Sequence, residues 1–409
     1  MNMNVTNGYR WVILGLLTFC VSVYGILFQT IPPILPILIH TFNISYAQAG
    51  ALMSLFTLPK IFFSLPGGIL IDRYGAKTLG IASLLTMAFG TAVAAMGSGY
   101  WVLGLGRLLA GIGSACLVVV GLKSITSWYY GREIGLSMGI FNLSLPLGTI
   151  LSLNFMGLIA HQFHWRVSII AGLAMSLMAL GLFLGLFRNI NEGGKMRANP
   201  SGLLTVMREA GWGIWCVGFS WGLFNAGLIS FFTYAPDYFV NQGMDIAQAG
   251  LLASYPMWSS IILAPIFGLL IDRVGQRWLF ISVGCGGMAI LLYLIPAFTT
   301  HATLPTIFIG VFVGLVTPAI FSFPAELLPE PIIGFGFGIV GTNLGIGISL
   351  GPYIVGMLRD ATGNYIWSFT AMATFMALSI IPILFLKRQT NKRLSGKINN
   401  SIIEGNCPM

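Results

Sequence analysis

The sequence predicts an all-α membrane protein of twelve transmembrane helices in two pseudo-symmetric six-helix bundles. Three observations predict it. Of 409 residues, 56% are hydrophobic and only 8% are charged, whereas soluble domains carry about 25% charged residues. Cutting the chain at charges and turn residues leaves twelve apolar runs, each near the roughly 20 residues that a helix needs to cross hydrocarbon. A stretch of the first half also returns in the second at a constant offset of 200 residues.

The runs are 11–39, 47–71, 79–97, 101–122, 135–160, 167–187, 211–236, 249–271, 278–298, 304–325, 332–358 and 365–386. They lack the alternation of barrel strands, and inside lipid each must satisfy its own backbone as a helix. The first run is too long for a signal core and has no small-residue cleavage site after a short core. Ile31-Pro-Pro-Ile-Leu-Pro36 should break or bend its outer end, because proline removes a helix donor. In the second run Pro59 stands beside Lys60, and the run ends in the charged turn GILIDRYGAK, Gly68 to Lys77. The third run is uncharged; the fourth carries only Arg107. After the sixth comes a polar stretch with Glu192, Gly193, Gly194, Asn199 and Pro200, read as a linker. The seventh is read to residue 236, just short of Asp237. The eighth holds Pro256 and Pro265 and ends in GLLIDRVGQR, Gly268 to Arg277. Pro318, Pro324 and Pro352 interrupt the tenth and eleventh, and the eleventh is rich in glycine. The division is a bundle at 1–188, a linker at 189–210, a second bundle at 211–386 and a basic tail at 387–409, expected near anionic lipid headgroups.

Lys and Arg mark cytoplasmic loops. With twelve alternating spans and the N-terminus inside, sixteen basic residues fall inside and two, Arg166 and Arg359, outside. Both termini are therefore expected in the cytoplasm of a cell with a plasma (inner) membrane. The same bias accounts for the net charge of +9 without a nucleic-acid partner. Cys20, Cys116, Cys216 and Cys285 lie within spans at no metal or disulfide spacing, so no metal site is expected. Nor is there a Walker phosphate loop or a Ser-His-Asp or zinc constellation. ATP drive, catalysis and a bound cofactor are all disfavoured, and the chain is expected to work as a monomer.

Aligning 47–77 with 247–277 gives thirteen identities in thirty-one positions, with AQAG at Ala47–Gly50 and again at Ala247–Gly250. The halves therefore share one orientation, an architecture of carriers whose substrate site lies between the halves near the midplane. The paired G-x-L-x-D-R-x-G-x-K/R, after the second and eighth spans, resembles the signature of the major facilitator superfamily. LGLGRLLAGIG, Leu103 to Gly113, is similar to that family's fourth-helix motif, with Ala110 where its Gln usually stands. SLPLGT at Ser144–Thr149 only partly matches its fifth-helix exchanger motif. The resemblance implies twelve spans and alternating access.

It also implies a role for the turns. A carboxylate at a helix start can accept from free backbone N–H groups and favour the positive dipole end. By resemblance Asp72 should face the start of helix eleven, near Gly334–Gly338, and Asp272 the start of helix five, near Gly135. Gly68 and Gly268 should allow close helix approach. Arg73, Gly75 and Lys77, and Arg273, Gly275 and Arg277, complete two breakable clamps, with Glu326 at the inner gate.

Charge inside the membrane marks function by default. Lys60 lies near the middle of helix two; its repeat mate is Ser260. Arg107 has two readings, an anion ligand or an organiser of backbone carbonyls. None of the eleven acids falls inside a predicted span. A net-positive cavity for a small anion is the reading these charges favour, with two alternatives for a proton: brought by the substrate, or carried at Glu326. Tyr24, Gln29, Asn142, Asn154, Asn225, Tyr234, Tyr255, Trp258 and Asn343 are the uncharged candidates to complete the site. The expected function is a secondary active or facilitative carrier of a small organic or inorganic anion. Export of amphipathic drugs or metabolites is the runner-up, and a transporter-like nutrient receptor the reading from another class.

Overall fold

The computed structural model describes residues 3–63, 70–71, 73–129, 133–189, 203–297, 302–329 and 332–403. Twelve helical spans follow in order. The first, α1, is Met3–Phe28 continued as Ile31–Phe42. Then come α2 (Tyr46–Phe63), α3 (Ala76–Met96) and α4 (Tyr100–Trp128). The next span, α5, is built from Ile134–Asn142, Ser144–Leu151 and Gly157–Gln162, with a π-helical turn at Ser152–Met156. The first half ends with α6 (Trp165–Leu186). The second half holds α7 (Leu203–Asn241), α8 (Ile246–Val274), α9 (Arg277–Leu294), α10 (Thr303–Leu327), α11 (Ile333–Thr362) and α12 (Ile366–Ile403). Eleven of the spans are long and apolar enough to cross a membrane on the described residues, and α2 runs up to residues 64–69, outside those described.

The helices pack in the same pattern twice. In the first half α1 meets α5 and α6, α2 and α3 meet α4, and α3 meets α6; in the second, α7 meets α11 and α12, α8 and α9 meet α10, and α9 meets α12. This is the sequence repeat written as contacts. The halves meet along three seams: α2 with α11, α5 with α8, and the end of α1 with α7. The face carrying the chain ends is here the terminal face, and the opposite one the distal face.

Three boundaries bear on expectation. First, the expected break in α1 falls at Gln29–Thr30, ahead of Pro32 and Pro33, and the helix resumes for another segment. Second, α7 does not stop at residue 236: Pro236 lies inside the helix, which continues to Asn241. Asp237 is therefore inside a span and buried, and this corrects the expectation that no acid lies within one. Third, the expected tail continues α12 to Ile403. Gly211, with φ 64, kinks α7 where the linker meets the membrane run, a conformation that glycine adopts without steric cost.

Candidate functional site

Along the α2–α11 seam the contacts step from the distal face toward the middle. Asp360 of α11 accepts from the backbone N–H of Tyr46 and of Ala47, each at 2.8 Å. Tyr234 of α7 places its hydroxyl 3.0 Å from the Tyr46 carbonyl and 2.7 Å from that of Pro352. Ser54 donates to the Ser349 carbonyl, and the Thr57 and Ser349 hydroxyls lie 3.0 Å apart. A Cβ on Gly345 would stand 3.0 Å from the Ile61 side chain. On the α5–α8 seam, Asn154 donates to the Ser254 hydroxyl at 3.0 Å, and a Cβ on Gly250 would meet the Leu153 carbonyl at 2.1 Å. All these contacts lie in the distal half or at the middle.

The terminal face differs. A Cβ on Gly135 or Gly139, at the start of α5, would meet nothing within 4 Å. Ile262, Ile266 and Leu269 of α8 are more than half exposed. Asp272 is exposed and makes no hydrogen bond or ion pair among the described residues, so it does not reach Gly135 as expected. Gly268 approaches only Pro318, at 3.8 Å, within its own half. Gly68 and Asp72 lie outside the described residues. The structure is thus sealed on the distal side, and among the described residues no α5–α8 clamp is made on the terminal side.

The remaining turn residues act locally. Gly75 and Gly275 have φ of 82 and 70, positive values that favour glycine where a helix ends. The Arg73 guanidinium lies over the Tyr74 ring, the Lys77 N–H donates to Asn189, and Arg273 is exposed. Arg277 pairs with Glu326 inside the second half, so both serve one bundle in this state.

Near the middle of the first half, charges and rings alternate. The Lys60 ammonium stands 5.8 Å from the Tyr24 ring. Tyr24 stacks on Phe56, centroids 6.1 Å apart, and the Arg107 guanidinium lies 4.3 Å from Phe56. Lys60 is half-buried. Arg107 is held chiefly by backbone: its Nη1 donates to the Leu27 carbonyl, Nη2 to that of Phe28 at 3.0 Å, and Nε to that of Leu52 at 3.2 Å, with the Met53 sulfur 3.6 Å from Nη2. The reason is in the sequence. The Phe28 carbonyl would bond the N–H four residues on, but that residue is Pro32, which has none. Arg107 supplies the missing donor at the α1 break. Of the two readings of Arg107, this geometry supports the organiser.

The polar candidates scatter. Asn225 and Asn343 are buried and each donates back to its own helix, to Trp221 and Ile339, at 2.9 Å. Asn343 packs on Gly218 and Gly222 at the α7–α11 contact. Gln29 is 1% exposed and its Oε1 has no partner. Tyr255 is half-buried, whereas Asn142 and Trp258 are exposed; Trp258, at 47%, is not enclosed by the bundle. Only Tyr24 and Lys60 of the expected substrate ligands are brought together.

The distal seal was missed from sequence. Asp237, 3% exposed, accepts from the Tyr365 hydroxyl and from the Asn241 amide at 3.2 Å. The Arg359 guanidinium stands over the rings of Tyr46 and Tyr365, at 4.9 and 4.5 Å. Outside the spans, burial pushes the Tyr365 hydroxyl far above the usual tyrosine range, and Asp237 adds to that, so it stays a donor. The apolar run Tyr238-Phe-Val240 after Asp237 was the available signal that the helix continues.

The profile of the Major Facilitator Superfamily matches residues 17–247 and 232–402. The human lysosomal dipeptide transporter MFSD1 is 23% identical over 369 residues, covering 85% of this chain and 78% of that protein. A hexuronate transporter of Bacillus subtilis (strain 168) is 24% identical over 378 residues, covering 85% and 88%. Among solved structures, an inward-facing, occupied bacterial homolog of the human lysosomal transporter Spinster superposes with a TM-score of 0.79 at 14% identity, covering 93% of this chain and 97% of that one.

Proposed function

Because the chain belongs to the Major Facilitator Superfamily, a family of multi-pass membrane transporters that work by alternating access, we propose that it carries a small organic or inorganic anion. The observation that carries this reading is Lys60. It is a half-buried cation near the middle of α2, beside the Tyr24 ring, in a protein whose described central contacts include no acid. A charge at that depth costs at least about 2.5–3.5 kcal/mol on insertion scales, and such residues mark substrate or ion paths. Arg107 is held by carbonyls and leaves Lys60 as the anion's partner. The hexuronate transporter's name fits that charge. The terminal face is the cytoplasmic one, by the excess of Lys and Arg there, and the distal face is external. The membrane is the plasma membrane, and the structure is closed to the outside.

The test is a thermal-shift screen of the purified protein against small carboxylates, nitrate, phosphate, sugars, dipeptides and lipophilic cations, repeated with Lys60→Ala. At a hundred times Kd a ligand adds about 2.7 kcal/mol of stability. An anion that stabilises the parent and not Lys60→Ala supports the reading. Stabilisation by lipophilic cations, equal in both proteins, overturns it in favour of drug export.

A further inference from the structure

Among the acids whose side chains the structure describes, Glu133, Asp245, Asp272, Glu326 and Asp360 are exposed, and Asp237 alone is buried, at 3%. A buried carboxyl that serves neither a metal nor the substrate region needs another explanation. Its position supplies one. It lies at the distal end of α7, where the two halves meet. The Tyr365 hydroxyl reaches it from the start of α12 and the Asn241 amide from its own helix. Tyr46, from the other half, faces it, and Arg359 of α11 stands over the Tyr46 and Tyr365 rings. Tyr234 and Tyr238 flank it on α7 itself, Tyr234 bonded to the Tyr46 and Pro352 carbonyls. The other charged or titratable groups nearby are exposed: Asp360 on α11, His40 on α1, and Asp245, the cap of α8. Further off, α10 brings Glu326, at the opposite face and paired with Arg277.

Tyr365, Asn241 and Arg359 around Asp237 belong to its own half, and Tyr46, packed edge-on against Tyr365, closes the pocket from the other. When the halves part at the external face, Tyr46 and the start of α2 leave, and Asp237 meets water. A group buried in one state and hydrated in the other binds protons differently in the two, and so protons bias the equilibrium between them. We propose that Asp237 is a proton-binding site in the external gate, and that the outside pH sets through it how readily the carrier opens outward. This rests on the proposed sidedness and on alternating access. The proton here is a ligand of the gate and not cargo. From the seal to the middle of the seam, the facing residues Gly50, Ser54, Thr57 and Ile61, with Gly345 and Ser349, hold no carboxylate or imidazole to pass it inward, and the Tyr234 hydroxyl is held by the Tyr46 and Pro352 carbonyls.

The experiment needs no substrate. Ser54→Cys places a thiol behind the seal, and Thr41→Cys places one on the exposed external end of α1. Both full-length proteins are labelled in whole cells by a membrane-impermeant maleimide at external pH from about 5.5 to 8. The ratio of the two rates removes the pH dependence of the thiol chemistry. The expected ratio varies with pH, by on the order of tenfold per unit at most for one proton, and is flat when Asp237→Asn is added. Tyr365→Phe, which keeps the carboxyl, shifts the pH response without flattening it. Asp360→Asn raises labelling at every pH and keeps the slope. An unchanged curve in Asp237→Asn, or a response that disappears with Asp360→Asn instead, overturns the proposal. A pH-independent ratio in the parent overturns it alone. No labelling of Ser54→Cys at any pH overturns the opening of this face and the proposal with it.

Discussion

Asp360 caps Tyr46 across the two halves of the molecule. Its two carboxylate oxygens take the N–H groups of Tyr46 and Ala47, and a local Ser45–Gln48 capping box takes the next, with Gln48 N–H donating to the Ser45 hydroxyl at 3.2 Å. Ala49 N–H bonds the Ser45 carbonyl. Every orphan donor at the start of α2 is thereby satisfied, two of them by the other bundle.

Asp360→Ala is expected to remove this external latch. Losing a helix cap costs about 0.5–2 kcal/mol. The exposed site and the water that replaces the carboxylate place the cost near the low end. About 1 kcal/mol is roughly a fivefold shift in the ratio of closed to open states. Labelling of Ser54→Cys from outside should rise by that factor, with unfolding temperature nearly unchanged. Equal labelling in both proteins would remove Asp360 from the gate.

Arg107→Leu should destabilise the fold before it affects any ligand. The Leu27 and Phe28 carbonyls at the α1 break and the Leu52 carbonyl on α2 lose this donor, and leaving a buried acceptor unsatisfied costs about 1–3 kcal/mol. Arg107→Lys cannot bridge three acceptors with a planar fork, so it should recover only part of that. Thermal unfolding of the ligand-free protein reads this directly. An Arg107→Leu protein of parental stability that binds the anion weakly would return Arg107 to the substrate site.

Gly347→Ala is expected to push α7 and α11 apart. A Cβ there would lie 1.9 Å from the Gly222 carbonyl oxygen, a backbone atom that cannot rotate away. Overpacking of this kind costs about 1–3 kcal/mol. Gly139→Ala, where a Cβ meets nothing within 4 Å, should be neutral, or stabilising through helix propensity by up to about 1 kcal/mol. Comparing the two melting temperatures separates tight packing from mere glycine richness.

The Arg277–Glu326 pair is partly exposed, with side-chain accessibilities of 23% and 50%. A double-mutant cycle should give under about 1 kcal/mol of coupling, weaker still in high salt. Glu326→Gln is expected to retain uphill uptake of the anion that the screen identifies. Loss of uphill uptake with downhill exchange intact would make Glu326 the coupling carboxylate.

The sequence by itself determined the class of molecule and its symmetry. Hydrocarbon admits only self-satisfied helices, so twelve apolar runs fix the spans, and thirteen matched positions at an offset of 200 fix two like-oriented halves. It also singled out Lys60 and Arg107, because charge is costly at that depth. It did not decide what each charge touches. Arg107 turned to the α1 break because Pro32 leaves a carbonyl unpaired, and that pairing joins residues far apart in the chain. Asp237 fell outside its span because a charge ends an apolar run; tertiary packing carried the helix through it and buried the acid. The cap of Tyr46 by Asp360 spans 314 residues. Local pattern sets which segments are helices, but which ends meet depends on how the two bundles lean, and only the tertiary structure holds that.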